Sequence, residues 1–181
     1  TIRPGTYQVI ASRGPERTIA RKTVTVLAGK EVHLDFDLRR VVDTEGYVSA
    51  DFHVHSARSF DASVPLEDRV RSYAAEGVEV LVSTDHNFIT DLAPATKKLG
   101  LGDALKTVIG NELTTSLPTP AFPQGFGHHN VFPVKVDPLL PRRGAPQTEY
   151  VPAAIFYDRM ELNNPGVEKV VQLNHPRAGL A

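Results

Sequence analysis

The segment Asp51-Phe52-His53-Val54-His55-Ser56 sets two histidines at alternate positions directly after Tyr47-Val48-Ser49-Ala50. The alternation predicts a β-strand over 47–54, and successive side chains of a strand point to opposite faces. His53 and His55 therefore share a face, while Val54 turns into the opposite layer. Two imidazoles on one face can bind one divalent metal ion. Ser56, Arg58 and Ser59 break the pattern, which puts the pair at the C-terminal end of the strand. Barrels of parallel strands carry their chemistry at that end. A short His-x-His motif also arises by chance, so the weight falls on the remaining ionisable residues.

Those residues recur at equivalent places. His86 follows the apolar run Val78 to Ser83 through Thr84-Asp85, and Glu112 follows Thr107-Val108-Ile109-Gly110. His128 and His129 lead into a short strand over 130–134, and His175 follows a strand over 167–173. Six of the seven histidines thus fall at or near strand ends, with Asp61 and Asp85 in the adjoining loops. Histidines that only fill a core would scatter. Neutral imidazoles and carboxylates gathered at one end of a sheet are what zinc, manganese or iron require. A glutamate among histidines can bridge two ions about 3.5–4 Å apart. His128 and His129 are adjacent, so a strand turns them to opposite faces. Gly127 frees the backbone just before His128, which makes His128 the expected ligand. Asp85 is expected to orient a ligand as a hydrogen-bond acceptor rather than to bind metal. Arg177, just past His175, is either a binder of a substrate's anionic group or a surface arginine.

The elements that must position these residues fall into two stretches. Residues 1–42 alternate at 7–11, 23–26 and 32–38 with turns at 13–16 and 28–30, which predicts three antiparallel strands. Three strands make a poor domain alone, so the expectation is the C-terminal part of a small β-sandwich, of carboxypeptidase-regulatory-like or Ig-like type, with His33 on its wet side. From residue 46 the pattern changes to strand, helix, strand. Leu66 to Glu76 predicts a helix begun by Pro65 and closed by Gly77. A parallel pair of strands joined by this helix follows. A second helix is expected over Leu92 to Leu99, and a third over Ala153 to Leu162 with Ile155, Phe156 and Met160 inward.

Composition excludes several classes. With 41% hydrophobic and 23% charged residues the composition is that of a globular chain, and at a net charge of -1 no basic excess points to nucleic acid or an anionic membrane. No apolar run approaches the length of a membrane span. The absence of cysteine leaves histidine and carboxylate as the only metal ligands.

In order and spacing, Asp51-Phe52-His53-Val54-His55-Ser56, Ser59-Phe60-Asp61, Thr84-Asp85-His86, Gly110-Asn111-Glu112, Gly127-His128-His129-Asn130 and Asn174-His175-Pro176 resemble successive motifs of the PHP (polymerase and histidinol phosphatase) superfamily. Leu66-Glu67-Asp68-Arg69 and Gly77-Val78-Glu79 are most similar to its carbaryl-hydrolase-like and microcin-related branch. The resemblance covers residues 46–181. It implies an α/β fold, here the N-terminal portion of a distorted (β/α)7 barrel, with two or three divalent ions. It also implies that His53 and His55 hold one ion, that Glu112 bridges to a second completed by His128 and His175, and that Asp61 and His86 belong to a third. The family's late Asp-x-His motif has no counterpart here, so the C-terminal remainder of the same polypeptide is an expected partner.

The function expected from these residues is hydrolysis of a small-molecule phosphoester by water activated on the ions, with His86 also able to protonate the leaving group. Amide or carbamate hydrolysis, or a non-catalytic binding module stabilised by metal, are the other readings. Attachment to a β-sandwich favours an extracytoplasmic location.

Overall fold

The computed structural model describes residues 1–115, 120 and 126–176. It divides into two compact units, one of Thr1–Val48 with Ala75–Gly77, the other of Ser49–Ala74 and the residues from Val78 onward. Among the described residues no helix is long and apolar enough to cross a membrane.

The first unit is built on β1 (Gly5–Ala11) and β2 (Ala20–Val26). They pair antiparallel, with Tyr7 opposite Val24 and Val9 opposite Lys22. The expected third strand does not form. Residues 31–39 form neither strand nor helix, and Leu34, Phe36 and Leu38 are half-buried while His33, Asp35 and Asp37 stay exposed. The alternation is therefore present, but the backbone makes no ladder. This stretch is held by the Thr18 N–H on the Arg39 carbonyl (2.9 Å), Lys22 Nζ on the Asp35 carbonyl (2.5 Å) and one bridge between Arg17 and Arg40. Among the described residues there is one two-stranded sheet here, in place of the three antiparallel strands expected.

Among the described residues the second unit holds two sheets. β3 (Ala50–Val54), β4 (Val80–Ser83) and β5 (Lys106–Ile109) form a parallel sheet in that order. Parallel neighbours need a crossover, supplied by α1 (Leu66–Ala75) and α2 (Ala93–Lys98). Val70 of α1 and Leu92 and Ala95 at α2 bury against Val54, Leu81 and Leu105. Gly77, at φ 80°, follows the end of α1, and the Val78 N–H reaches back to the Tyr73 carbonyl (3.1 Å). The second sheet is antiparallel, in the order β6 (Asn111–Thr115), β7 (Gly127–Phe132) and β8 (Val170–Leu173). The helix α3 (Ala153–Asn163) covers it, with Phe156 and Met160 packed on Leu113, Val131 and Ile89. Ile155, expected inward, is 39% exposed.

A distorted (β/α)7 barrel is thereby overturned. The described residues contain three α-helices, and only α1 and α2 connect parallel strands. After β5 the chain passes through Gly110 directly into β6, with no helix between them. The physical cause lies in Asn111-Glu112-Leu113-Thr114-Thr115, which continues the strand instead of ending it. All five residues are buried, and they pair antiparallel with β7, a neighbour that needs no crossover helix. Gly110 permits the junction because a Cβ there would lie 2.8 Å from the Ser83 carbonyl oxygen and 3.2 Å from that of Val131.

Candidate metal centre

The centre forms where the strand ends of the parallel sheet meet the antiparallel one. Pairing of β3 with β4 shifts register between Asp51 and Val54. Within that irregularity the His53 N–H turns to the Asp51 carboxylate at 2.9 Å. Beyond it, the Val54 N–H donates to Thr84 Oγ1 (2.8 Å) and the Thr84 N–H to the Val54 carbonyl (2.9 Å). This fixes His55 next to the segment that carries His86. The His86 backbone in turn bridges in parallel to Glu112, whose other neighbour is Asn130 of β7. A side chain held between two strand neighbours in this way has little freedom to move.

Glu112 is the middle of the centre and is fully buried. Its Oε2 lies 3.3 Å from His53 Nε2, 2.9 Å from His55 Nε2 and 3.0 Å from His86 Nδ1. Its Oε1 lies 3.1 Å from His128 Nδ1 and 3.6 Å from His175 Nε2, and it accepts a 2.8 Å hydrogen bond from Asn174 Nδ2. Burial alone would raise the pKa of this carboxyl. The rings of His53 and His55 and the Asn174 amide outweigh it and hold the group well below the usual carboxylate range. Even so, Oε2 has no aligned hydrogen-bond donor, although three ring nitrogens lie within 3.3 Å. His53 Nε2 and His55 Nε2 also face each other at 2.9 Å. Ring nitrogens and carboxylate oxygens that converge on one point suit a cation. Tetrahedral bonds of about 2.0–2.1 Å would space ligand atoms about 3.3 Å apart, close to these separations.

Among the described residues three sets of side chains are compact enough to hold an ion: His53, His55 and Glu112; His55, Asp61 and His86; and His86, Glu112 and His128. The protein therefore has His/Glu groups close enough to bind metal, and Glu112 belongs to two of the sets.

Charge balance follows from the same contacts. Burial disfavours charge on His55, but Glu112 at Nε2 and Asp61 at Nδ1 (3.0 Å) raise its pKa to about 9. Burial would raise Asp61, yet the bonds from His55 and Ser59 hold it down at about 2. His86 is lowered, chiefly by burial. Its Nδ1 lies 2.5 Å from Thr114 Oγ1 and its Nε2 3.2 Å from Asp61 Oδ2, so both ring nitrogens have a partner.

The other expected residues are placed as follows. His175 sits at the rim, with its ring stacked on His53 at 5.6 Å, and belongs to none of the three sets. His129 points elsewhere: its Nε2 donates to the Phe126 carbonyl (2.5 Å) and its Nδ1 accepts from the Tyr157 hydroxyl (2.6 Å). Asp85 does not orient a histidine. Its buried carboxylate accepts from the Ser56 N–H (2.5 Å), Ser56 Oγ (2.7 Å) and Thr90 Oγ1 (2.5 Å), so it fixes the loop that follows His55. Arg177 lies outside the described residues.

Several supporting residues escaped the reading of the sequence. Asn174 joins Glu112 to Asn130 Oδ1 (2.8 Å), and Asn130 Nδ2 in turn holds the Phe52 carbonyl (2.9 Å). Ser59 Oγ accepts the His86 N–H and lies 3.2 Å from His55 Nδ1. Thr114 stands two residues after Glu112, so strand alternation alone could have found it. Asn174 and Asn130 carry no comparable signal, because amides are common in turns and strand ends. No family model matches the chain, and comparison with curated proteins finds no match.

Proposed function

We propose that the chain is a metal-dependent hydrolase of the PHP kind that cleaves phosphoesters. One observation carries this reading: a fully buried glutamate whose two oxygens are approached by imidazoles from both sheets, one of those oxygens without a donor. His53, His55 and Glu112 would hold one ion, and His86, Glu112 and His128 a second, with Asp61 available to a third beside His55 and His86. The nitrogen and oxygen donor set, free of sulfur, fits zinc, manganese or iron. Divalent ions bound there would supply Lewis acidity toward the ester and lower the pKa of a bound water toward neutrality.

The chain's own residues do the rest. Asn174 and the strand neighbours of Glu112 fix its carboxylate between the ligand sets, so the donors are arranged before any ion or substrate arrives. Thr114 fixes the His86 ring at Nδ1, and Asp61 draws His55 and His86 together.

The test is hydrolysis of bis(p-nitrophenyl) phosphate with added Mn or Zn, together with elemental analysis of the purified protein. At least one metal per chain and metal-dependent turnover are expected, and His53→Ala should remove the turnover. Activity unchanged in His53→Ala would dissociate the centre from the reaction.

A further inference from the structure

A cavity of about 530 Å³ opens beside the centre and has His86 and Thr114 in its wall. Pockets for small organic molecules fall in this size range and combine apolar walls with a few polar groups. The apolar walls here are Phe60 and Phe88. Phe60 is stacked on the His86 ring, centroids 4.5 Å apart and planes 20° from parallel, and is 80% exposed, so its outer face is free to take a second flat group.

Two arginines line the same cavity, and they differ. Arg142 is already neutralised, with NH1 and NH2 at 3.4 and 3.2 Å from the Glu149 carboxylate. Its backbone is in the left-handed region at φ 52°, which is uncommon for a side chain of this size. The pair forms a fixed, neutral wall. The Arg58 guanidinium lies over the Phe88 ring at 5.9 Å and has no carboxylate partner among the described residues. The cavity therefore holds one unbalanced positive charge, two aromatic surfaces and an edge of the proposed metal centre.

We infer that this cavity is the substrate pocket, that it takes an organic phosphate with a flat apolar group, and that Arg58 binds its anionic oxygens. The inference rests on the hydrolase reading for what happens to the ligand, though not for whether it binds. Guanidinium matches phosphate oxygens with paired N–H donors, and its seat on Phe88 restricts it without using those donors. A neutral amide or carbamate would gain nothing from the Arg58 charge, so the pocket favours anionic esters.

Phenylphosphonate, which resists hydrolysis, is the probe. It is titrated by calorimetry into the zinc-loaded full chain and into Arg58→Gln and Arg58→Lys, with the zinc content of each measured. Arg58→Gln should weaken binding at least about tenfold, the effect of losing a charge-assisted pair. Arg58→Lys, which keeps the charge and loses the fork, should recover part of it, and zinc content should stay constant. In turnover of bis(p-nitrophenyl) phosphate the loss should fall on KM more than on kcat. Equal affinity in wild type and Arg58→Gln, absence of binding to wild type, or loss of zinc in Arg58→Gln would each overturn the assignment. The two readings separate cleanly. Turnover that ignores Arg58 removes the pocket and leaves the hydrolase, whereas Arg58-dependent binding without turnover leaves the pocket and removes the hydrolase.

Discussion

The parallel sheet β3-β4-β5 and the antiparallel sheet β6-β7-β8 contribute to the same centre in different ways. The parallel sheet donates from where its strands stop: His53 and His55 at the end of β3, and His86 just past β4. The antiparallel sheet donates from within its strands, since Glu112 is the second residue of β6 and His128 the second of β7. A residue past a strand end sits on a loop and needs loop contacts to fix it, which here come from Asp85, Thr84 and Ser59. A residue inside a ladder is fixed by its neighbours' backbones. Glu112, the buried carboxylate at the middle of the centre, is placed inside a ladder rather than on a loop. Each sheet also has its own apolar core, one around Leu81 and Val70 and the other around Leu113 and Phe156. The centre and Gly110 are where the two meet.

The strongest way to break this comparison is Glu112→Gln. If the antiparallel sheet supplies the shared ligand, metal affinity should fall more than about a hundredfold, beyond the loss expected from supporting groups alone. A chelator competition measures it, and wild-type affinity would show that the parallel sheet holds metal without help. Next in size is Gly110→Ala. The atoms a methyl would meet at 2.8 and 3.2 Å are backbone carbonyl oxygens of both sheets, which cannot rotate away. Overpacking of this kind costs about 1–3 kcal/mol, read as a lower urea midpoint. An unchanged midpoint would mean that the junction between the sheets is loose.

A smaller, graded effect comes from pH. In the metal-free protein His55 has a pKa of about 9, because Glu112 of the antiparallel sheet and Asp61 outweigh burial. Its folded pKa is raised, so its contribution to metal-free stability is complete below the unfolded value of about 6.5 and is lost as pH rises through about 9. A metal ion must displace that proton. Apparent zinc affinity should therefore rise about tenfold per pH unit through the neutral range and level off near pH 9. Zinc titrations at pH 6.5, 7.5 and 8.5 check this. A flat profile would mean that His55 is neutral before metal binds and that the two sheets are not electrostatically joined through Glu112.

Periodicity and punctuation carried much of the local structure. Alternation at His53 and His55 determines that both rings leave one face, because the side-chain period of a strand is two. Pro65 and Gly77 delimit α1 through a fixed φ at one end and a left-handed residue at the other. The same period of two is silent on what lies beside a strand. It fits a parallel neighbour, an antiparallel one, or none, as residues 31–39 show by alternating in burial without joining a sheet. That silence is why 107–112 reads as one strand of a barrel and turns out to be two strands in two sheets, joined at Gly110. It is also why Asp85, adjacent to His86 in sequence, serves the Ser56 loop, while Asn174, 62 residues from Glu112, completes its carboxylate. By itself the sequence singled out candidate metal ligands and the strand faces they leave. Only the tertiary structure decided that they share one carboxylate, because contacts between distant strands depend on pairing partners that no local pattern specifies.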